Sequence, residues 1–258
     1  MENKLSIITL TLNSEKFLEQ TITSIENQTY KNIEHIIIDG GSTDDTLHII
    51  EKHKKNSNLW SSEPDNGIAD AMNKGLGMAT GDYILFLHSD DYLIDPRALE
   101  RVSRYLNDDI DIYMFQVVLE DQGGQRLSCN KSLGWWTNFK ISSCHQGHIC
   151  SINLFRNIGR FNTRYKIVMD YDFILRAYRA QIKSCAINIP VSVMRLSGIS
   201  SKNDWQNLKA RFLEERHVHF EHCPSVSMWL LYKIYWMFYL PYRKFSYFLS
   251  TIVQYCTR

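Results

Sequence analysis

Residues 83–93 read Tyr-Ile-Leu-Phe-Leu-His-Ser-Asp-Asp-Tyr-Leu, an unbroken apolar run from Tyr83 to Leu87 followed almost at once by the paired acids Asp90 and Asp91. A short apolar run of this kind predicts a strand buried on both faces. Acids placed just after it stand at its carboxyl end, the edge at which open α/β sheets bind their ligands. The same grammar repeats upstream. Leu5 to Leu12 reads as a buried strand, and Asn13 or Ser14 is placed to cap a helix whose Leu18, Ile22 and Ile25 form an apolar stripe. Residues 33–38 (IEHIII) make a second strand that ends at Asp39-Gly40-Gly41. Asp44 is placed to cap the next helix, which carries Leu47, Ile49 and Ile50. Leu59-Trp60 is a short third strand, Pro64-Asp65-Asn66-Gly67 a turn, and Ile68 to Ala79 a helix. This alternation predicts an α/β fold built on a doubly wound, mostly parallel sheet with flanking helices. Asn13, Asp39 and Ser89-Asp90-Asp91 then gather along one exposed edge of that sheet.

Beyond Pro96 the alternation loosens. Ala98 to Leu106 reads as a helix. Asp111 to Glu120 and Gln125 to Cys129 flank Gly123-Gly124 as a hairpin. Tyr171 to Ala180 reads as a helix opened by Asp170, and Ser184 to Ile189 as a strand.

Composition narrows the class. The 29 basic and 28 acidic residues leave a net charge of +1, where a dedicated nucleic-acid binder carries a strong basic excess. None of the 6 cysteines falls in a CxxC pair, which argues against a zinc ribbon and favours reduced thiols in a cytosolic setting. The stretch MENKLSIITLTLN lacks the pattern of a secretory signal. There is no GxGxxG, P-loop, HExxH or GxSxG motif.

Two adjacent carboxylates repel unless a cation or hydrogen-bond donors satisfy them. Hard divalent ions such as Mg²⁺ take oxygen ligands, often carboxylates together with substrate phosphates. Around the pair stand three further blocks: LSIITLTLN (5–13), QTYKNIEHIIIDGGSTDDT (28–46) and HQGHICSINLFRNIGRFNTRYKIVMDYDFILR (145–176), with EPDNGIADAMNKGLGMATGDYILFLHSDD (63–91) containing the pair itself. In this order and spacing they resemble the inverting family 2 glycosyltransferases of the GT-A fold, the type that builds bacterial surface polysaccharides and O-antigen. The resemblance implies a Rossmann-like GT-A domain over residues 1–200, with a donor half at about 1–95 and an acceptor half at about 96–200. It implies metal-dependent transfer, with Mn²⁺ or Mg²⁺, of a single sugar from a nucleotide-diphosphate donor, a UDP-sugar, to a hydroxyl of a lipid-linked saccharide with inversion.

Roles carry over residue by residue. Thr9, Thr11 and Asn13 would lie along the nucleoside, and Asp39 would hold the uracil or the floor of its pocket. Gly40 stands where many relatives have a second acid. Asp65, Asn73 and Lys74 match the segment bordering the donor, and Lys74 is either a phosphate contact or a solvated helix lysine. Asp90 would bind the ribose or the metal's water shell, Asp91 would ligate the metal, and His88 stands where some relatives carry a third carboxylate. Asp170 matches the general base, which must take the proton of the attacking hydroxyl, and it also suits a helix start. Asp172 falls on another face of that helix, spaced to pair with Arg176. His145, in the HQ pair, would line the acceptor or pyrophosphate side. The chain lacks the QxxRW signature of processive synthases. A nucleotidyltransferase is the rival enzyme, but its glycine-rich, arginine-containing loop is missing; a catalytically silent sugar-nucleotide scaffold is the rival outside enzymes.

Residues 201–258 form a separate C-terminal helical segment. EERHVHFEH (214–222) is charged throughout and reads as a solvated helix rather than a metal site. From Ser225 onward there is no acid, and aromatics are dense. Met228 to Leu240, ending at Pro241, is shorter than the roughly 20 residues that a spanning helix needs. With Trp and Tyr at its surface and Lys233, Arg243, Lys244 and Arg258 nearby, it reads either as a helix lying on a membrane or as one packed on protein. The first reading places the chain in the cytoplasm, peripheral on the inner face of the bacterial membrane.

Overall fold

Every residue of β1 (Leu5–Thr11) is buried, so both faces of this strand are covered and its neighbours must lie beside it in the sheet. The computed structural model describes residues 2–53, 59–141, 143–196 and 204–256. The chain divides into two units, Met1–Gly198 and Ile199–Arg258.

In the first unit β2 (Ile33–Asp39) pairs parallel with β1, and β3 (Leu59–Ser62) parallel with β2. On the other side, β4 (Tyr83–Phe86) runs parallel to β1. The crossovers are helices α1 (Leu18–Glu26), α2 (Thr46–Lys52) and α3 (Ile68–Met78). α3 lies directly on the sheet because Gly75 faces Ile8, where any side chain would collide. Asp44 accepts the N–H of Thr46 at 3.1 Å and so helps start α2. α1 begins later than a cap at Asn13 or Ser14 would place it. Asn13 adopts φ 48°, and the Ser14 carbonyl accepts the N–H groups of Phe17 and Leu18, so a turn precedes the helix. Asparagine tolerates this left-handed conformation better than most residues.

The second half extends the same sheet with mixed directions. Its strands are β5 (Tyr92–Leu93), β6 (Ile112–Asp121), β7 (Gly124–Leu127), β8 (His148–Ser151) and β9 (Ser184–Arg195). The order across the sheet is β3-β2-β1-β4-β8-β6-β9-β5, with β7 paired to β6. β9 runs on past Ile189 to Arg195 and pairs parallel with β6. The register shifts around Gln116, which lies opposite Pro190. Proline has no N–H for the ladder, so an irregularity there is the expected accommodation. α4 (Ala98–Ser103), α5 (Ile152–Ile158) and α6 (Met169–Arg179) complete the unit. Phe155 and Phe173 stack at 4.8 Å, and Phe86 and Phe161 pack on them, which sets the start of α6 beside the end of β4.

The second unit is two helices, α7 (Trp205–Glu221) and α8 (Val226–Cys256). The expectation of a wholly solvated EERHVHFEH segment is corrected at His219. Its ring is buried, stacks on Tyr232 at 4.5 Å and accepts the indole N–H of Trp236. α8 also continues through Pro241 rather than stopping there. Tyr232 and Trp236 are buried, whereas Trp229, Leu230, Ile234, Met237 and Phe238 are exposed. Among the described residues no helix is long and apolar enough to cross a membrane.

Candidate active site

The carboxyl ends of β1 and β2 stand side by side, Thr11 opposite Asp39 in register. Asp39 is fully buried and accepts from the N–H groups of Gly41 and Ser42 and from the Ser62 hydroxyl. A carboxylate so occupied acts as the floor of the loop that follows β2. Asn13 ties that loop to the β1 loop: its amide oxygen accepts the Thr43 N–H at 2.9 Å, and its own N–H donates to Ser42. Thr11 is buried, and its hydroxyl has no hydrogen-bond partner among the described residues. Thr9 is corrected. It lies fully buried one turn of the pleat deeper, bonded to His35 at 2.9 Å, and does not reach the rim.

The missing acid at Gly40 has a structural counterpart. A Cβ at this position would sit 2.5 Å from an oxygen of Asp65, whose other oxygen accepts the Gly67 N–H. The Asp65 carboxylate thus occupies the space next to Asp39 that a side chain at 40 would need. Asn73 is engaged within the fold. Its amide bonds both the N–H and the carbonyl of Phe161, fastening α3 to the loop before α6. Lys74 is drawn to Glu63 at 2.9 Å and Asp70 at 3.6 Å, which raises its pKa and places its ammonium at the rim.

After β4 the chain turns sharply. The Asp91 N–H bonds the His88 carbonyl, and the Thr21 hydroxyl reaches the carbonyls of Ser89 and Asp91. Asp91 is therefore not on an exposed edge: it is 1% exposed. One of its oxygens accepts from the Gln146 amide at 3.0 Å and the other from the Arg195 N–H at 3.1 Å. Loss of solvent, and secondarily the charge of Asp90, push its pKa up to about 7. The side chain of Arg195 donates to the Asp90 carbonyl and to Gln20, and it lies between the rings of Phe17 and Tyr92 at 4.5 and 4.7 Å. Sequence reasoning missed this residue. Its one signal was a lone charge in the apolar run VSVMRL, just past the expected end of the strand.

A short 3-10 helix, His145–Gly147, bridges the two halves. While Gln146 holds Asp91, the adjacent His145 lies 3.8 Å from a carboxylate oxygen of Asp170. On its other side the His145 ring nitrogen lies 2.6 Å from that of His88, within hydrogen-bond reach. Burial and the neighbouring ring hold His88 well below the usual imidazole range, at about 3. Asp170 and Asp91, far apart in sequence, are thereby brought to one site by two consecutive residues. Asp172 is elsewhere: fully buried, it pairs with Arg176 at 3.0 Å, whose guanidinium also caps the carbonyls of Ile158 and Arg160.

The comparisons agree with this architecture. The sequence profile of Glycosyl transferase family 2 matches residues 6–182. A PGL/p-HBAD biosynthesis glycosyltransferase of Mycobacterium tuberculosis is 34% identical over 181 residues, covering 67% of this chain and 69% of that protein. An uncharacterized glycosyltransferase of Haemophilus influenzae is 29% identical over 249 residues, covering 84% of this chain and 75% of that protein. Among solved structures, S. aureus TarS 1–349 in complex with UDP superposes with a TM-score of 0.66 at 22% identity. That match covers 84% of this chain and 64% of TarS 1–349, so this chain spans just under two thirds of its length. The mannosyltransferase PcManGT from Pyrobaculum calidifontis, in complex with GDP-Man and Mn²⁺, gives 0.62 at 16% identity, covering 98% of this chain and 87% of the other. These likenesses show a GT-A-like α/β fold, and with the profile match and the mycobacterial relative they establish that this chain belongs to glycosyl transferase family 2.

Proposed function

We propose that this chain transfers one sugar from a nucleotide-diphosphate donor, a UDP-sugar, to a hydroxyl of a lipid-linked saccharide, with inversion at the anomeric carbon, in bacterial surface-polysaccharide assembly. The observation that carries this reading is the convergence on His145 and Gln146. These consecutive residues touch Asp170 on one side and Asp91 on the other. An inverting displacement needs a carboxylate to take the acceptor proton on one side and, on the other, a cation where the leaving diphosphate gathers charge, which a second acidic site would hold.

The donor set around Asp91 fits a hard divalent cation, Mn²⁺ or Mg²⁺. Asp91 is a buried carboxylate held near neutrality beside Asp90, and the amide oxygen of Gln146 is buried with no hydrogen-bond partner among the described residues. Oxygen ligands of this kind suit such ions. When bound, the cation would neutralise charge on the departing pyrophosphate. The protein's own part begins with Arg195, which holds the Asp90 and Asp91 turn in place. Thr11 and Asn13 line the strand-end loop for the nucleoside, over a floor built on Asp39 and Asp65. Asp170 takes the proton of the acceptor hydroxyl, and His145 sets its position. That TarS has been solved with UDP and PcManGT with GDP-Man and Mn²⁺ supports a nucleotide-sugar donor.

The exposed apolar face of α8, with Lys233 and Lys244 and no acid after Ser225, supports docking on an anionic membrane surface from the cytoplasmic side. The test is thermal shift with a panel of UDP-, GDP- and dTDP-sugars, with and without Mn²⁺. Stabilisation by a UDP-sugar that grows with Mn²⁺ is expected. Indifference to every sugar nucleotide would contradict the proposal.

A further inference from the structure

The turn Gly134-Trp135-Trp136-Thr137-Asn138 presents its residues in an unusual order. Thr137 and Asn138 point inward and are 2% and 1% exposed, whereas Trp135 and Trp136 point outward at 62% and 41%. Exposed indoles on a loose loop would mean little. This turn, a 3-10 helix over Trp135–Asn138, is firmly tied. The Gly134 N–H donates to the Thr137 hydroxyl, and the Asn138 amide donates to the Trp135 carbonyl. Upstream, the Leu133 N–H donates to Ser184, and the Asn130 amide bridges the carbonyls of Met114 and Ile187. The Trp136 ring lies over Gly134, where a Cβ would sit 2.6 Å from it. Trp135 in turn leans on Phe139 at 5.2 Å. Large aromatic surface fixed in water by this many contacts marks a binding surface rather than a packing accident.

Its neighbour says what binds. The Tyr171 hydroxyl donates to the Thr137 carbonyl at 3.0 Å, and Tyr171 follows Asp170 directly. The turn that carries the two indoles is therefore tied through its backbone to the first turn of α6, which holds Asp170, the carboxylate that must come within hydrogen-bond reach of an acceptor hydroxyl. A pyranose ring has a face of C–H bonds that suits the electron-rich face of an indole, while its hydroxyls stay at the rim. The hydrogen bonds of the turn run to β6, β9 and α6, in the second half of the sheet, which points to the acceptor as its ligand.

We propose that Trp135 and Trp136 form the platform on which a sugar ring of the acceptor stacks as its hydroxyl is delivered to Asp170. This deepens the transferase reading and rests on it for the role of Asp170. The platform itself is a saccharide site whose occupancy is measurable without turnover.

The experiment titrates the full chain with octyl glycosides of glucose, galactose, mannose, rhamnose and N-acetylglucosamine, read by saturation-transfer NMR and tryptophan emission. A second arm uses phosphatidylglycerol vesicles. The wild-type chain should bind at least one glycoside. Trp135→Ala and Trp136→Ala should each weaken it about tenfold, in line with aromatic stacking, with the UDP-sugar melting shift unchanged. Trp136→Phe, which keeps a ring over Gly134, should recover most of the loss and guards against misfolding. Unaltered glycoside binding in both alanine variants would overturn the proposal. So would the absence of binding to any glycoside, or a Trp135 and Trp136 response to vesicles alone. Asp170→Asn separates the two readings: full turnover in that variant would sink the base while glycoside binding kept the platform.

Discussion

Replacing Asp91 with asparagine removes a charge from a place where water cannot reach it. Burial, with Asp90 beside it, raises the Asp91 pKa to about 7 from the ordinary 3.8. Between those values the folded chain keeps a proton that the unfolded chain has released. The stabilising contribution of this group is thus full below pH 3.8 and is lost as pH rises through about 7. The slope is about 1.4 kcal/mol per pH unit, so between pH 5 and 7 the unfolding free energy should fall by roughly 2 kcal/mol on account of this one side chain. Asparagine does not titrate, and it can still accept from Gln146 or from the Arg195 N–H. Urea denaturation at pH 5, 6, 7 and 8, followed by tryptophan emission, should therefore show a shallower pH dependence in Asp91→Asn. The difference between the two curves isolates Asp91 from the histidines. Mn²⁺ should stabilise the wild-type chain increasingly as Asp91 loses its proton, and the variant much less. Parallel curves for the two proteins would refute the argument that Asp91 is buried and held near neutrality.

The other predictions follow from particular contacts. Asp172→Ala leaves Arg176 partly buried without its partner and should cost about 3 to 5 kcal/mol of stability, measured by the same denaturation, while turnover per folded molecule stays close to wild type. Arg195→Met should loosen the Asp90 and Asp91 turn and weaken Mn²⁺ affinity, read by isothermal titration, since its guanidinium holds the Asp90 carbonyl; unchanged affinity would reduce Arg195 to a packing residue. Leu230→Glu with Phe238→Glu, both on the exposed face of α8, should abolish co-sedimentation with anionic vesicles and leave donor binding intact. Equal sedimentation of both proteins would remove the membrane from the account.

How far the sequence could be read depended on the range of the interactions involved. β1, β2 and β4 were legible because each is a buried run ending in polar residues; the register that sets Thr11 opposite Asp39 came from the structure. The order of β8, β6, β9 and β5 was not, because β8 has only 4 residues and β5 only 2, too few for periodicity to speak. A strand buried on both faces also hides which of its hydroxyls reach the rim, and Thr9 was misplaced for that reason. Gly40 looked like a lost contact until Asp65 was seen in the space it leaves. Arg195 and His219 show the general limit. Each is a polar residue whose partners lie on other elements, Asp90 and Gln20 for one, Tyr232 and Trp236 for the other. Local pattern assigns such residues to solvent.

The central claim is that Asp170 accepts the proton of an acceptor hydroxyl in sugar transfer from a nucleotide-diphosphate donor. The most direct measurement is the transfer rate of Asp170→Asn beside its affinity for the UDP-sugar that stabilises the wild-type chain. The account predicts an unchanged donor dissociation constant and a transfer rate lower by roughly a hundred- to ten-thousandfold, the usual range for a lost general base. A variant that binds donor normally and transfers sugar at the wild-type rate would contradict it.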